Sequence, residues 1–286
     1  MTILLASTST YFGVLGAVGV VVISLIYFAQ EKLIYFPDTE HFLKPAQYGF
    51  TRDNFEEIML RTRDDLNIQM WMFRQPNSKK CPTMLFCHSN AGNLSHRLPN
   101  IRHLYDMVKC NVLIISYRGY GKSEGSPSEE GIKLDVNVAM EYLLSDQTID
   151  SSMIFIFGRS LGGAVAIDAA SRFPQDIKAT ILENTFMSIP HMVDVVMPWL
   201  KVFKPLVRSQ WNNYQAIAKL TAPTLFLSGK RDELVPAGHM AQLEQLCRSD
   251  KKKMIEFENG QHMTLMIQPN YYKYIREFLE GVFGVW

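Results

Sequence analysis

Met153-Ile-Phe-Ile-Phe-Gly-Arg-Ser160-Leu-Gly-Gly-Ala-Val-Ala166 is the stretch on which the reading of this chain turns. Met153 to Phe157 form an apolar run too short for a helix and suited to a buried strand. Gly158-Arg-Ser-Leu-Gly162 matches G-x-S-x-G, and Ala164, Val165, Ile167, Ala169 and Ala170 continue as a small-residue helix. Strand, tight turn with a serine at its apex, and helix together are the context that a nucleophile elbow requires. A serine on so sharp a turn has backbone pressing close on both sides, which explains glycines at 158 and 162. The turn lifts the hydroxyl above the sheet edge, and the helix start aims free N–H groups at an arriving anion. A pattern this short also arises by chance, so the flanking strand and helix carry the argument.

Outward from the elbow, apolar strands alternate with helical segments. Before it come Thr83–Cys87, a helical stretch over 98–108, the strand Val112–Ser116 and an amphipathic helix from Glu129 to Leu144, started by Ser126-Pro127-Ser128. After it come strands at 179–182, 224–227 and 254–257, a helix near 239–247 and a terminal helix from Tyr271. Upstream, 56–61 and 66–73 alternate around Arg63-Asp64-Asp65, a hairpin signal. The pattern predicts an α/β fold: a mostly parallel central sheet with helices on both faces and an antiparallel hairpin at its start.

With 286 residues and 47% hydrophobic content, the chain suits one such domain plus an extra segment. Lys+Arg 29 against Asp+Glu 28 gives no electrostatic footprint for nucleic acid. Cys81, Cys87, Cys110 and Cys247 form no C-x-x-C pair, so neither a metal nor another cofactor is expected. Gly119-Tyr-Gly121-Lys122-Ser123 looks like the end of a phosphate-binding loop, but its first glycine would fall on Ser116, and Pro127 blocks the helix that should follow.

The extra segment is N-terminal. Met1 to Gln30 carries no charged side chain, and Tyr11 to Ala29 is almost wholly apolar, 19 residues that would cross about 30 Å of hydrocarbon as a helix. A cleaved signal peptide would show a basic start, a shorter apolar run and a small-residue cleavage site; a buried core helix would have a polar face. The expectation is a single-pass membrane anchor over 1–30, in the bilayer through 11–29, and a linker over 31–52. Lys32, Lys44 and Arg52 follow the span and nothing basic precedes it, which by the positive-inside rule puts the domain in the cytoplasm.

A serine hydroxyl needs a base, and the base needs a group to orient it. Asp232 lies just past the strand at 224–227 and His262 just past the strand at 254–257, in the order serine, acid, histidine. His262 would take the proton of Ser160, and Asp232 would hold the imidazole tautomer. Glu233 is a rival acid. The oxyanion donors would be the backbone N–H of Leu161 and those of the Ser89-Asn90 loop. His88 reads as structural, and Asp135 and Asp168 as packing or surface residues inside helices.

From about Leu33 onward the chain resembles the α/β-hydrolase domain-containing proteins, single-pass membrane members of the serine hydrolase superfamily. The resemblance rests on His88-Ser-Asn-Ala-Gly-Asn93, His96-Arg-Leu-Pro-Asn100, Tyr117-Arg-Gly-Tyr-Gly-Lys-Ser-Glu-Gly125, Phe157 to Ile167 and Glu183-Asn-Thr-Phe-Met-Ser-Ile-Pro-His-Met192. It implies an α/β-hydrolase fold over 53–286, a Ser160–Asp232–His262 charge relay and an N-terminal anchor. It also implies a type II topology, with the domain outside the cytosol, against the charge count; the side stays open. Two departures stand out. Ser89 replaces the family's glycine, and if that position requires φ > 0 the serine costs about 1–2 kcal/mol and weakens an oxyanion donor. Met263 follows the histidine where relatives are often polar.

Residues 186–220 fall where the fold places its lid. Met187, Met192 and Trp199 there are candidate substrate contacts, since adaptable apolar side chains suit an acyl chain or a membrane surface; a lid's own core would have the same composition. The expected activity is hydrolysis of an acyl ester or thioester of a small-molecule or lipid-modified substrate near a bilayer. The other class of function is a membrane-tethered binding or scaffolding module with a silent fold. Asn93-Leu94-Ser95 is a glycosylation sequon beside the proposed oxyanion loop and is expected to be unused.

Overall fold

The computed structural model describes Ser24 and residues 27–286. The strands are β1 (Phe36–Pro37), β2 (Phe55–Arg61), β3 (Asn67–Phe73), β4 (Thr83–Cys87), β5 (Ala91–Gly92), β6 (Asn111–Ile115), β7 (Ile154–Arg159), β8 (Ala179–Glu183), β9 (Thr224–Gly229) and β10 (Lys252–Phe257). The α-helices are α1 (Glu31–Ile34), α2 (Leu98–His103), α3 (Glu129–Ser145), α4 (Leu161–Arg172), α5 (Ile189–Val196), α6 (Asn213–Ala216), α7 (Ala237–Leu246) and α8 (Tyr271–Phe283). Eight strands form one sheet in the order β10-β9-β8-β7-β4-β6-β3-β2. The β2–β3 hairpin and its junction with β6 are antiparallel, and every other pairing in that sheet is parallel.

The sheet is covered on both faces, and its central strands β4, β6 and β7 are buried at every position. In β7, Ile154 and Ile156 join one buried cluster while Phe155 and Phe157 join the other. Met84 and Phe86 alternate in the same way with Leu85 and Cys87. That is the period-2 geometry of a strand applied to a continuous hydrophobic run. Helices α3 and α4 supply one cluster, with Ile132, Val136, Val165 and Ile167; α2 and α8 supply the other, with Ile101, Ile275 and Leu279. Helix α3 starts where its sequence signals place it, the Ser128 hydroxyl accepting the Gly131 N–H at 3.2 Å.

The N-terminal expectation divides here. Most of the apolar run 11–29 lies outside the described residues, and among the described residues no helix is long and apolar enough to cross a membrane. Residues 31–52, read from their prolines as a linker, are instead packed onto the domain. β1 pairs with β5, and Tyr35 and Phe50 are buried in the two clusters. Trp211 Nε1 donates to the Tyr35 hydroxyl at 3.0 Å, tying this stem to the far side of the lid. A proline-bearing stretch with aromatic residues has apolar surface to bury, and that outweighs the turn signals.

Candidate active site

Ser160 stands between β7 and α4 with φ 54° and ψ −119°, a conformation costing about 1–3 kcal/mol for a residue with a side chain. Its surroundings hold it there: the Ser160 N–H donates to Glu183 O at 2.9 Å, and the Thr185 hydroxyl donates to Ser160 O at 2.7 Å. The glycines on either side are required by space. A Cβ on Gly158 would lie 2.1 Å from Gly162 O, and one on Gly162 would lie 2.0 Å from Cys87 O.

Asp232 follows β9 and His262 follows β10, so neighbouring parallel strands deliver both to the same edge of the sheet. His262 Nε2 is 3.0 Å from Ser160 Oγ, and Nδ1 is 2.7 Å from Asp232 Oδ2. An ionised carboxylate only accepts, so the proton sits on Nδ1 and the bare Nε2 faces the hydroxyl. The Asp232 carboxylate is buried and fixed by two backbone donors, Leu234 N at 2.9 Å and Val235 N at 2.7 Å, both to Oδ1. Glu233, the rival acid, accepts the backbone N–H of His262 at 3.2 Å and does not reach the ring.

Behind the histidine lies support that the sequence did not disclose. Arg159 Nη2 donates to His262 O at 2.6 Å, and its guanidinium lies 3.4 Å from the buried carboxylate of Glu183. The Tyr271 hydroxyl donates to Glu183 at 2.6 Å. Asn184 Oδ1 accepts the Gly229 N–H at 2.8 Å, while its amide nitrogen reaches Gln261 O at 3.3 Å. Glu183-Asn184 at the end of a strand is the visible signal; what the two residues touch lies 45 and 88 positions away, at the end of β9 and the start of α8.

Leu161 begins α4, and Asn90 lies across the same cavity of about 230 Å³ beside Ser160. Ser89 lines a different cavity, with His96, Arg97 and Arg159. It is also absent from the residues with positive φ, so the strain anticipated for serine at this position does not arise. His88 is fully buried, its Nδ1 2.7 Å from Ser89 O and its ring against Tyr117 and Tyr120. Burial, with Arg97 nearby, pushes its pKa down to about 3. Asn93 of the sequon is buried, its amide donating to Asp38 O and His41 O. Asp135 is buried too, paired at 2.8 Å with Arg118.

Of the three lid residues singled out for substrate contact, Met192 lines the cavity beside Ser160. Met187 does not: it is buried in the core cluster under the lid. Trp199 does not either: it is 72% exposed, on the outer side of the 3₁₀ segment Pro198–Leu206 whose Leu200 points inward. Ile189, Val193, Val196 and Met197 take their place, together with Leu33 and Ile34 from the stem. Among the described residues, no group of His, Cys, Asp or Glu side chains is arranged to hold a metal ion.

Residues 82–206 match the family model described as the alpha/beta hydrolase fold. The chain is 39% identical to the alpha/beta hydrolase domain-containing protein WAV2 of Arabidopsis thaliana, over 95% of this chain and 94% of the relative. It is 39% identical to protein bem46 of Schizosaccharomyces pombe over 92% of this chain and 90% of the relative. It is 37% identical to an uncharacterized membrane protein of Saccharomyces cerevisiae over 94% and 95%. Among solved structures, the Pyrococcus furiosus esterase Pf2001 superposes with a TM-score of 0.70 at 19% identity, covering 88% of this chain and 100% of the esterase. With the serine, histidine and aspartate in succession along one edge of a mostly parallel sheet, and with these relatives, the chain belongs to the α/β-hydrolase domain-containing protein family.

Proposed function

We propose that this protein is a serine hydrolase of carboxylic esters or thioesters, acting on acyl, lipid-like substrates. The observation that carries the reading is the hydrogen-bonded succession Ser160–His262–Asp232 at the wall of an apolar cavity. In the first half-reaction, His262 Nε2 accepts the Ser160 proton as Oγ attacks the acyl carbon, and Asp232 stabilises the imidazolium. The oxyanion is held by the backbone N–H of Leu161 and by that of Asn90, which shares the cavity with Ser160. His262 then protonates the leaving alcohol or thiol. In the second half-reaction it activates a water that releases the acid and frees Ser160. The likeness to esterases supports hydrolysis of small ester substrates as the general class. An N-terminal membrane anchor belongs to the same proposal, supported by the apolar sequence of residues 11–29 and by the yeast relative's description as a membrane protein.

A fluorophosphonate probe applied to the full-length protein in detergent micelles tests the reaction. The expected result is covalent labelling that Ser160→Ala abolishes. A folded protein that takes no label would leave the binding or scaffolding alternative.

A further inference from the structure

The cavity beside Ser160 does not end there. A second apolar cavity, about 80 Å³, adjoins it. Leu33, Ile34, Ile189, Val193 and Met197 line both, so the two cavities share a wall, and the passage proposed below runs along it. On the outer compartment's far side are Tyr27 and Gln30 of the stem and Phe203, Leu206 and Val207 of the lid. Stem and lid are clasped across this passage by a short polar seam. Gln30 Nε2 donates to Leu206 O at 3.3 Å, Gln30 Oε1 accepts the Arg208 N–H at 2.6 Å, and Glu31 accepts the Ser209 hydroxyl at 2.9 Å. The seam satisfies backbone groups of the lid's last turn and leaves the apolar sides of both segments facing the space between them. Phe28, Trp199 and Val202, next in sequence to lining residues, are exposed.

We propose that the stem, residues 27–34, is one wall of the acyl-chain site, so that the segment leading out of the N-terminal apolar run sets chain-length selectivity. This rests on the hydrolase reading above. Asn90 strengthens the coupling, since its side-chain amide donates to Ile34 O at 3.1 Å while the residue borders the nucleophile's cavity. A short acyl group would occupy the inner compartment alone. A long one would thread between Ile34 and Val193 into the outer compartment, toward the end of the chain that the sequence assigns to a bilayer.

The test compares p-nitrophenyl palmitate with p-nitrophenyl butyrate on the full-length protein in micelles of fixed composition. Val207→Trp fills the outer compartment from the lid, and Leu33→Trp fills the passage from the stem. Each methylene kept out of an apolar site is worth a factor of about four. Excluding two or more should lower the palmitate-to-butyrate ratio of kcat/KM by about fifteenfold or more in both variants, with butyrate turnover near wild type in Val207→Trp, whose residue lines only the outer compartment. Butyrate turnover reports folding of that variant, and fluorophosphonate labelling reports folding of Leu33→Trp, whose residue also borders the nucleophile's cavity. If Val207→Trp is misfolded, Phe203→Ala, which enlarges the outer compartment, should move the ratio the opposite way. Ratios that stay within twofold of wild type overturn the proposal, and so does a ratio that responds to Val207→Trp but not to Leu33→Trp. A wild-type protein that takes no fluorophosphonate label would sink the hydrolase reading itself, which is a different result from labelled protein with an indifferent chain-length profile.

Discussion

His88 should make the protein's stability fall between pH 7 and pH 5 more steeply than its surface charges alone would. The ring lies at the end of β4, fully buried between Tyr117 and Tyr120 with centroid separations of 4.2 and 5.1 Å. Its Nδ1 donates to Ser89 O, and its Nε2 has no hydrogen-bond partner among the described residues. Burial, reinforced by the Arg97 and His96 charges, holds the folded pKa near 3, against an unfolded value near 6.5. Above pH 6.5 the ring is neutral in both states and costs nothing. Below that the unfolded chain binds a proton that the folded chain refuses, so stability drops until the folded ring itself titrates near pH 3. From pH 7 to pH 5 the linkage is about 2 kcal/mol. In His88→Phe the aromatic contacts remain, and the lost hydrogen bond to Ser89, about 1 kcal/mol, is offset by removing an unpartnered buried nitrogen, about 1–3 kcal/mol. The variant should therefore be close to wild type at pH 7 and more stable at pH 5 by about 2 kcal/mol. Urea midpoints in a non-ionic detergent at pH 7, 6 and 5 give the comparison, provided the slope m is unchanged. Parallel pH dependences in the two proteins would refute the reasoning.

Asp232→Asn should lower kcat by about 10⁴-fold by presenting the wrong tautomer to Ser160. Glu233→Gln, which touches only the backbone of residue 262, should cost less than about tenfold on the same ester assay. Arg159→Met removes the donor on His262 O and should reduce kcat by about 10²-fold with KM little changed, since the base shifts while the acyl cavity does not. Combining it with Glu183→Gln avoids leaving a buried carboxylate unpaired, and steady-state kinetics of that pair is the cleaner measurement. Ser89→Gly should change kcat/KM by less than about twofold, because residue 89 is not held at positive φ.

Parts of the molecule fixed by local rules were legible in the sequence. The β2–β3 hairpin, the core strands β4, β6 and β7 and the helix capped by Ser128 follow from period and punctuation acting over a few residues. The meeting of Ser160, His262 and Asp232 was also legible, because in a parallel sheet position in the chain and position along one edge are coupled: residues just past a strand end collect there. What escaped was decided by surfaces that meet from far apart. Nothing around Arg159 says that its guanidinium will reach the carbonyl of a residue 103 positions on. Nothing around Tyr35 says that it will find Trp211, so a stretch with two prolines passed for a linker.

The lid shows the limit most clearly. An apolar residue on an amphipathic segment has a side but no address: Met187, Met192 and Trp199 are chemically equivalent candidates, yet one is core, one lines the cavity and one faces outward. Of the three residues that composition picked out, only Met192 stands on the apolar wall beside Ser160. The stem supplied the missing part of it. Leu33 and Ile34 complete the cavity from a segment 126 residues before the nucleophile. They can do so only because β1 pairs with β5 and Asn90 grips Ile34 O, both on the loop that carries the second oxyanion donor of the proposed mechanism. The stem's part of the apolar wall and the proposed second oxyanion donor are thus both tied to one short piece of chain, residues 90–92. Loosening the stem should consequently disturb catalysis as well as chain-length preference.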